Sequence, residues 1–378
     1  MRYLFLILFI FGFSLTLGVQ DTKAAPIETA AKQAIVLDYD TGAVLLDKNA
    51  DEQMPTSSMS KVMTMVVVFD ALKSGHIKLD DTLLVSEKAW RKQGSKMFVE
   101  VNKRVKVEDL IRGVIIQSGN DATIVLAEGL AGTEDAFASV MNEKAAEIGM
   151  NGSHFMNASG WPDPNHYSTA RDLAKMAQYL ITEFPEYYSY YSEKEFTFNK
   201  IKQGNRNPLL YRKMGADGIK TGHTEAGGYG VIGSGERDGR RVIIVVNGLE
   251  SSKERAQESA KLLEWGLQSF ETQSILKAGE TYENVEVPLS VERVVSLVSP
   301  EDIVITVPKL GNSKVEKETV LDIAPKAPIK KGQRLGVLRV SVEGYYTKEF
   351  PLVAGHDVQE LGFFWRMIEN LRISIMGK

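Results

Sequence analysis

The chain has 378 residues, 43% hydrophobic and 25% charged, which suits one large domain with a core of its own and a smaller one beside it. Its 45 basic and 49 acidic residues leave a net charge of −4, a balance that argues against nucleic acid as a main partner. It contains no cysteine, which excludes disulfides, thiol nucleophiles and cysteine-rich metal sites, and the five histidines, at 76, 154, 166, 223 and 356, lack zinc-binding spacing.

Arg2, the apolar run Tyr3 to Leu17 and the small-residue pattern Thr22-Lys23-Ala24 have the layout of a secretory signal peptide over residues 1–24. The apolar run is short for a membrane span. The mature, exported chain then begins at residue 25 and is still acidic. Ala34–Tyr39 and Ala43–Leu46 flank an Asp-Thr-Gly turn and read as paired strands. Past Pro55, the spacing of Met59, Met63, Val66 and Val67 predicts a helix from about Ser58 to Leu72. Ser58 falls in its first turn, and Lys61 lies one turn on, on the same face.

Residues 107–181 read as mostly helical, with Ser118-Gly119-Asn120 as a tight connection between two helices and further helices over Glu134–Ile148 and Thr169–Ile181. Strand patterns return at 227–249: Lys220-Thr221-Gly222 precedes Tyr229–Gly233, a glycine-rich turn, and Arg241–Val246. A long helix follows over Ser252–Phe270. This order predicts an α/β (α+β) domain over 25–272, an antiparallel sheet covered by helices. Short strand patterns punctuated by Gly and Pro predict a small all-β domain over 273–355, a sandwich or barrel-like unit. Over 356–378, Leu361, Phe364, Trp365, Ile368, Leu371 and Ile375 share one helical face. That pattern reads as an amphipathic helix lying on a membrane surface, with residues 357–378 as the anchor. A helix packed on its own domain is the alternative.

Three polar motifs carry the chemistry: Ser58-Met59-Ser60-Lys61, Ser118-Gly119-Asn120 and Lys220-Thr221-Gly222. A serine hydroxyl needs a base to become a nucleophile. Lys61 serves as that base only as a neutral amine, which burial or nearby positive charge would favour, and Lys220 is one such charge. Ser118 can relay a proton to a leaving amine, and Asn120 can donate to and accept from a peptide group. Lys220 and Thr221 suit a substrate carboxylate, and Gly222 lets a substrate backbone approach. Each motif alone has a plainer reading: a helix-cap serine with a solvated lysine, a polar turn, a hairpin edge. A second S-x-x-K, Ser274 to Lys277, lacks a helix start and stands outside the ordered set. The ordered set S-x-x-K, S-x-N, K-T-G is the signature of active-site serine enzymes acting on D-Ala-D-Ala peptides and β-lactams.

With these motifs and the stretches Ala34–Leu46, Pro55–Thr64, Ile111–Asp121, Asp217–Thr224 and Arg255–Trp265, the chain resembles the low-molecular-mass penicillin-binding proteins, specifically the serine-type D-alanyl-D-alanine carboxypeptidases. The resemblance implies a transpeptidase-like penicillin-binding domain, a β-rich second domain and a C-terminal amphipathic anchor at the periplasmic face of the cytoplasmic membrane. It implies Ser58 as the acylated nucleophile, Lys61 as general base, Ser118 and Asn120 as the second motif, and Lys220, Thr221, Gly222 and His223 as the third. The backbone N–H groups of Ser58 and His223 would form the oxyanion hole. Arg206 and Arg255 match cleft-side arginines in the family, which implies a part in substrate binding; a helix or surface salt bridge is the plainer reading of each. Asn157-Ala158-Ser159-Gly160-Trp161 departs from the family, where several relatives have histidine and leucine at positions 159 and 161. The implied partners are a peptidoglycan stem peptide ending in D-Ala-D-Ala and β-lactam inhibitors, with no metal or organic cofactor.

Two rivals stand beside this reading. A serine β-lactamase shares the motifs, but its best-known class adds a glutamate in an E-x-x-x-N loop, and between residues 150 and 180 the only acids are Asp163 and Asp172. A non-catalytic, membrane-tethered peptidoglycan-binding protein would not require the three motifs intact.

Overall fold

The computed structural model describes residues 27–311 and 313–376. The export segment expected over 1–24 lies outside them. A five-stranded antiparallel sheet forms the centre of the first unit. Its strands are β1 (Gln33–Asp38), β2 (Val44–Lys48), β3 (Ala216–Thr224), β4 (Gly228–Arg237) and β5 (Arg240–Leu249), in the order β2-β1-β5-β4-β3. The expected N-terminal hairpin is therefore present, and the Lys220 motif lies within an edge strand rather than ahead of the sheet.

Period-two alternation places the two faces of this sheet in different cores. Ile35, Leu37, Ile219, Ile232, Ile243 and Val245 face a large helical core. Ala34, Val36, Val231, Val242, Ile244 and Val246 face the helix α6 (Ser252–Gln268), through Leu262, Leu263 and Leu267. The helical layer contains α1 (Lys61–Lys73), α2 (Val107–Ile115), α3 (Asn120–Ala131), α4 (Glu134–Ile148) and α5 (Ala170–Glu183). Thr133, Thr169 and Ser251 accept backbone N–H groups at the starts of α4, α5 and α6, which fixes those boundaries. Buried on every side from Lys61 to Phe69, α1 is the central helix of that layer rather than an amphipathic one.

Helix α6 ends at Gln268, and Phe270 opens the all-β unit, just ahead of the break expected at 273. Two antiparallel sheets make up this unit. One pairs β6 (Phe270–Leu276) with β9 (Ile303–Pro308). The other holds β7 (Thr281–Glu286), β8 (Val294–Val298), β10 (Val315–Leu321), β11 (Arg334–Val342) and β12 (Tyr346–Ala354) in the order β7-β8-β12-β11-β10. Both sheets supply one core that includes Val295, Ile305, Leu338 and Leu352. The two units meet through polar and aromatic contacts. Thr41 Oγ1 and Thr306 Oγ1 are 2.6 Å apart, and the Trp265 ring of α6 meets the Phe270 ring edge to face at 4.9 Å.

The terminal helix α7 (Phe363–Met376) starts later than the expected 356. Val358 is buried and pairs with Ile329, and Glu360 pairs with Ser290, so residues 358–360 belong to the all-β unit. Among the described residues no helix is long and apolar enough to cross a membrane.

Candidate active site

The chain enters α1 through a 3₁₀ turn, Ser57–Ser60, which carries Ser58 at its second position. Lys61, the first residue of α1, is completely buried. Its Nζ lies 2.9 Å from Ser58 Oγ, 2.8 Å from Asn120 Oδ1 and 2.6 Å from the Ser159 carbonyl oxygen. Burial lowers its pKa to about 7, helped by the positive charges of Arg206 and Lys92 and opposed by Asp121. Lys220 is pushed well below the ordinary lysine range by burial, then by Lys61, Arg206 and Arg255, so the two lysines disfavour each other's charge.

Ser118 sits in the two-helix connection between α2 and α3 with φ +57°, a left-handed conformation that costs a non-glycine residue energy and is often retained at functional sites. Its Oγ lies 3.0 Å from Lys220 Nζ. Asn120 opens α3 with both ends of its amide in use. Oδ1 accepts from Lys61, and Nδ2 donates to the Gln93 carbonyl at 2.9 Å. One N–H and one lone pair of Oδ1 are left over, so the amide retains both a donor and an acceptor for a substrate peptide group.

Gly222 meets a constraint of the fold as well. A Cβ there would sit 2.8 Å from the Thr56 carbonyl oxygen and 3.1 Å from Met59 Cγ. The glycine lets β3 pack against the turn that carries Ser58, so its bare face serves the fold. His223, exposed at the far end of the motif, stacks on Tyr229 with ring centroids 3.9 Å apart. Arg255, from the first turn of α6, lies over the other side of this group, 5.6 Å from the Tyr229 ring, and its buried Nε has no hydrogen-bond partner. Arg206 donates to Ser95 Oγ at 2.6 Å. Lys61, Lys220, Arg206 and Arg255 thus converge, with no carboxylate among their hydrogen-bond partners in the described residues, and their combined charge suits an anion.

Several contributors carry no motif. Ser159 supplies a carbonyl to Lys61, and Lys92 adds charge from a loop. Asp121 is fully buried and accepts the N–H groups of Met97, Phe98 and Val99, which fixes the loop that also presents Gln93 and Ser95. Ser60 bridges Thr56 Oγ1 at 2.6 Å and His166 Nε2 at 2.8 Å, two residues on from Ser58. Position alone hints at Asp121, directly after Ser118-Gly119-Asn120; the others are brought in by loops distant in sequence. The second S-x-x-K belongs elsewhere: Ser274 is exposed on β6, and Lys277 pairs with Asp302 at 2.7 Å in solvent.

Residues 19–251 match the family model described as D-alanyl-D-alanine carboxypeptidase. The chain belongs to that family. Residues 270–360 of the carboxypeptidase match a second model, the C-terminal domain of penicillin-binding protein 5. It is 38% identical over 372 residues to the D-alanyl-D-alanine carboxypeptidase DacA of Haemophilus influenzae, covering 97% of this chain and 95% of that one. Its fold matches penicillin-binding protein 5 of Haemophilus influenzae with a TM-score of 0.80 at 40% identity, covering 89% of this chain and 100% of that one. Penicillin-binding protein D2 of Listeria monocytogenes, solved with ampicillin bound, matches with a TM-score of 0.59 at 32% identity, covering 64% and 98%. The protein is a D-alanyl-D-alanine carboxypeptidase, a hydrolase with a penicillin-binding α/β domain and a C-terminal all-β domain.

Proposed function

We propose that this carboxypeptidase removes the terminal D-alanine of peptidoglycan stem pentapeptides through an acyl-enzyme on Ser58. The observation that carries the reading is the buried Lys61 amine, 2.9 Å from Ser58 Oγ and tuned to about 7. The neutral amine takes the Ser58 proton as Oγ attacks the penultimate D-alanine carbonyl. The N–H groups of Ser58 and His223 receive the oxyanion. Ser118, bonded to Lys220, gives a proton to the leaving amine as the C–N bond breaks and is replenished by the proton that Lys61 took, which leaves Lys61 neutral. Water then attacks the ester, losing a proton to Lys61, and that proton returns to Ser58 Oγ as the ester C–O bond breaks.

The substrate lies along the open edge of β3, with its carboxylate at Lys220 and Thr221 and within reach of Arg206 and Arg255. Lys220 is costly to charge in the empty cleft, and a bound carboxylate restores its ammonium form. Asn120 holds Lys61 in place and offers its remaining N–H to the substrate. β-Lactams present the same carboxylate and a reactive carbonyl, and they acylate Ser58 and leave slowly. Incubating the protein with a pentapeptide ending in D-Ala-D-Ala should yield free D-alanine and a tetrapeptide, and Ser58→Ala should abolish both this and labelling by a fluorescent penicillin. Rapid, steady turnover of nitrocefin instead would favour a β-lactamase.

The same reading places the enzyme outside the cytoplasm, at the periplasmic face of the inner membrane. Residues 1–24 direct export, 25–269 form the catalytic unit, 270–361 the all-β unit, and the helix beyond it the anchor. The support for the anchor is a run of apolar side chains left in solvent: Phe363 is 80% exposed, Phe364 and Trp365 62% each, and Met367 56%.

A further inference from the structure

Residues 193–213 carry six basic side chains and two acids in a chain whose net charge is −4. They contain a two-stranded hairpin, Glu195–Phe198 paired with Ile201–Gly204, and a 3₁₀ turn, Pro208–Tyr211, ahead of β3. Phe196 and Phe198 pack against the helical core, so strand alternation turns Lys202 outward. Tyr211 ties the turn to the hairpin: its hydroxyl lies 3.0 Å from the Lys194 carbonyl oxygen and 2.9 Å from that of Asn205. This anchors the segment that carries Arg212 and Lys213 next to Lys194.

These charges face solvent. Lys194, Arg212 and Lys213 are exposed, and among the described residues their side chains form no hydrogen bond or ion pair. The acids of this face already have partners: Glu193 binds Arg112, Glu195 binds Lys202, Glu258 binds Lys261 and Glu264 binds Arg237. Arg212 and Lys213 line a shallow hollow of about 630 Å³, and Gln257 and Lys261 of α6 form its other wall. The face joins the catalytic cleft at two points. Asn205, bonded to Tyr211, directly precedes the cleft's Arg206, and Met214, in the hollow, lies two residues before the start of β3.

We propose that this basic face is a docking surface for the polymer that carries the substrate, and that it holds carboxylates of stem peptides neighbouring the one being cut. This rests on the proposed function, in which a peptidoglycan stem lies along β3. The charges are complementary. Each stem ends in a carboxylate before the reaction, and the shortened stem ends in one afterwards, so the polymer stays a polyanion throughout. The direction of the bound stem fits as well. Its carboxylate sits at Lys220 and Thr221 and its scissile carbonyl at His223, so its own chain leaves at the far end of β3. The basic face lies at the opposite end, about 14 Å from Lys220 along the strand, where a neighbouring stem meets it. A second, weak hold on the same polymer raises the effective concentration of uncut stems at Ser58. A cationic face on an acidic protein also orients the encounter, which its net charge alone would oppose.

The test compares a soluble pentapeptide ending in D-Ala-D-Ala with insoluble peptidoglycan carrying the same stems, using the full chain in a nonionic detergent. Arg212→Glu combined with Lys213→Glu is expected to leave the melting curve and kcat/KM for the soluble peptide unchanged. On the polymer at low ionic strength, D-alanine release should fall roughly fivefold, the size of two exposed charge pairs, and cosedimentation with the polymer should weaken in step. In about 1 M salt, where charges are screened beyond about 3 Å, the difference should vanish. The same charge change on exposed lysines of the all-β unit, Lys317→Glu with Lys331→Glu, should alter neither substrate. An equal loss in that control overturns the docking surface, and so does full polymer activity in the Arg212 and Lys213 variant. A variant that still holds peptidoglycan but no longer binds phosphatidylglycerol vesicles overturns it too, and assigns the face to a membrane. Failure of the unaltered protein to release D-alanine from the soluble peptide sinks the carboxypeptidase reading instead; cosedimentation, which Ser58→Ala should retain, then still decides the surface.

Discussion

Ser58-x-x-Lys61 and Ser274-x-x-Lys277 share a pattern and differ in environment. Lys61 is buried against Ser58, Asn120 and Ser159, and its pKa falls to about 7. Lys277 stands in water beside Asp302, which raises its pKa. A base must be neutral to accept a proton, so the usable fraction of Lys61 grows as pH rises through about 7. The second-order rate of Ser58 labelling by a fluorescent penicillin should therefore climb with pH and level off above about 8, falling about tenfold per unit on the acid side. Arg206→Gln should move this limb to higher pH, because Arg206 is the leading charge that depresses Lys61. A profile flat from pH 5 to 9 would contradict the assignment. Residue identities made Ser58, Lys61, Ser118 and Lys220 legible from the sequence. The restraints on Asn120 and the fold's constraint on Gly222 were not, because they depend on Gln93 and Thr56, which no motif links to them.

Element boundaries explain how these side chains meet. The 3₁₀ turn before α1 puts Ser58 and Lys61 on one face, and Ser118, left-handed in the connection after α2, has its hydroxyl within reach of Lys220. Helix α3 is held through Asp121, which accepts three backbone N–H groups of the 97–99 loop. Removing that carboxylate leaves buried donors without an acceptor, so Asp121→Ala should destabilise the protein by roughly 3 kcal/mol, with Asp121→Asn milder. The same change should slow penicillin labelling, because the loop also carries Gln93 and Ser95, partners of Asn120 and Arg206. Chemical denaturation and labelling rates on the two variants check both effects; an unaltered unfolding midpoint in Asp121→Ala would count against the loop's role. The helices over 134–148 and 169–181 were legible because apolar spacing and capping residues are local signals. The loop 93–99 was not, because what orders it is a carboxylate more than 20 residues away in α3.

At the scale of the molecule, the terminal helix and the all-β unit part company later than the sequence suggested. Val358 is buried and paired with Ile329, and the exposed apolar run begins only at Phe363. Truncation after Gly362 should therefore release the protein from membrane fractions while penicillin labelling and the melting temperature persist, whereas truncation before Val358 should also lower the melting temperature. Fractionation and thermal unfolding of the two truncations separate anchoring from stability, and membrane retention of the first would remove the anchor assignment. By itself, the sequence determined the order of elements, the antiparallel sheet with its helical cover, the β-rich second unit and the candidate nucleophile, because periodicity, turn residues and motif spacing are local in the chain. Tertiary structure alone decided that Lys61 is buried enough to act as a base. It also decided that Arg206 and Lys92 help to tune Lys61, and that Ser274 stands exposed and apart from the cleft. Desolvation and charge proximity arise only when segments far apart in sequence are packed together.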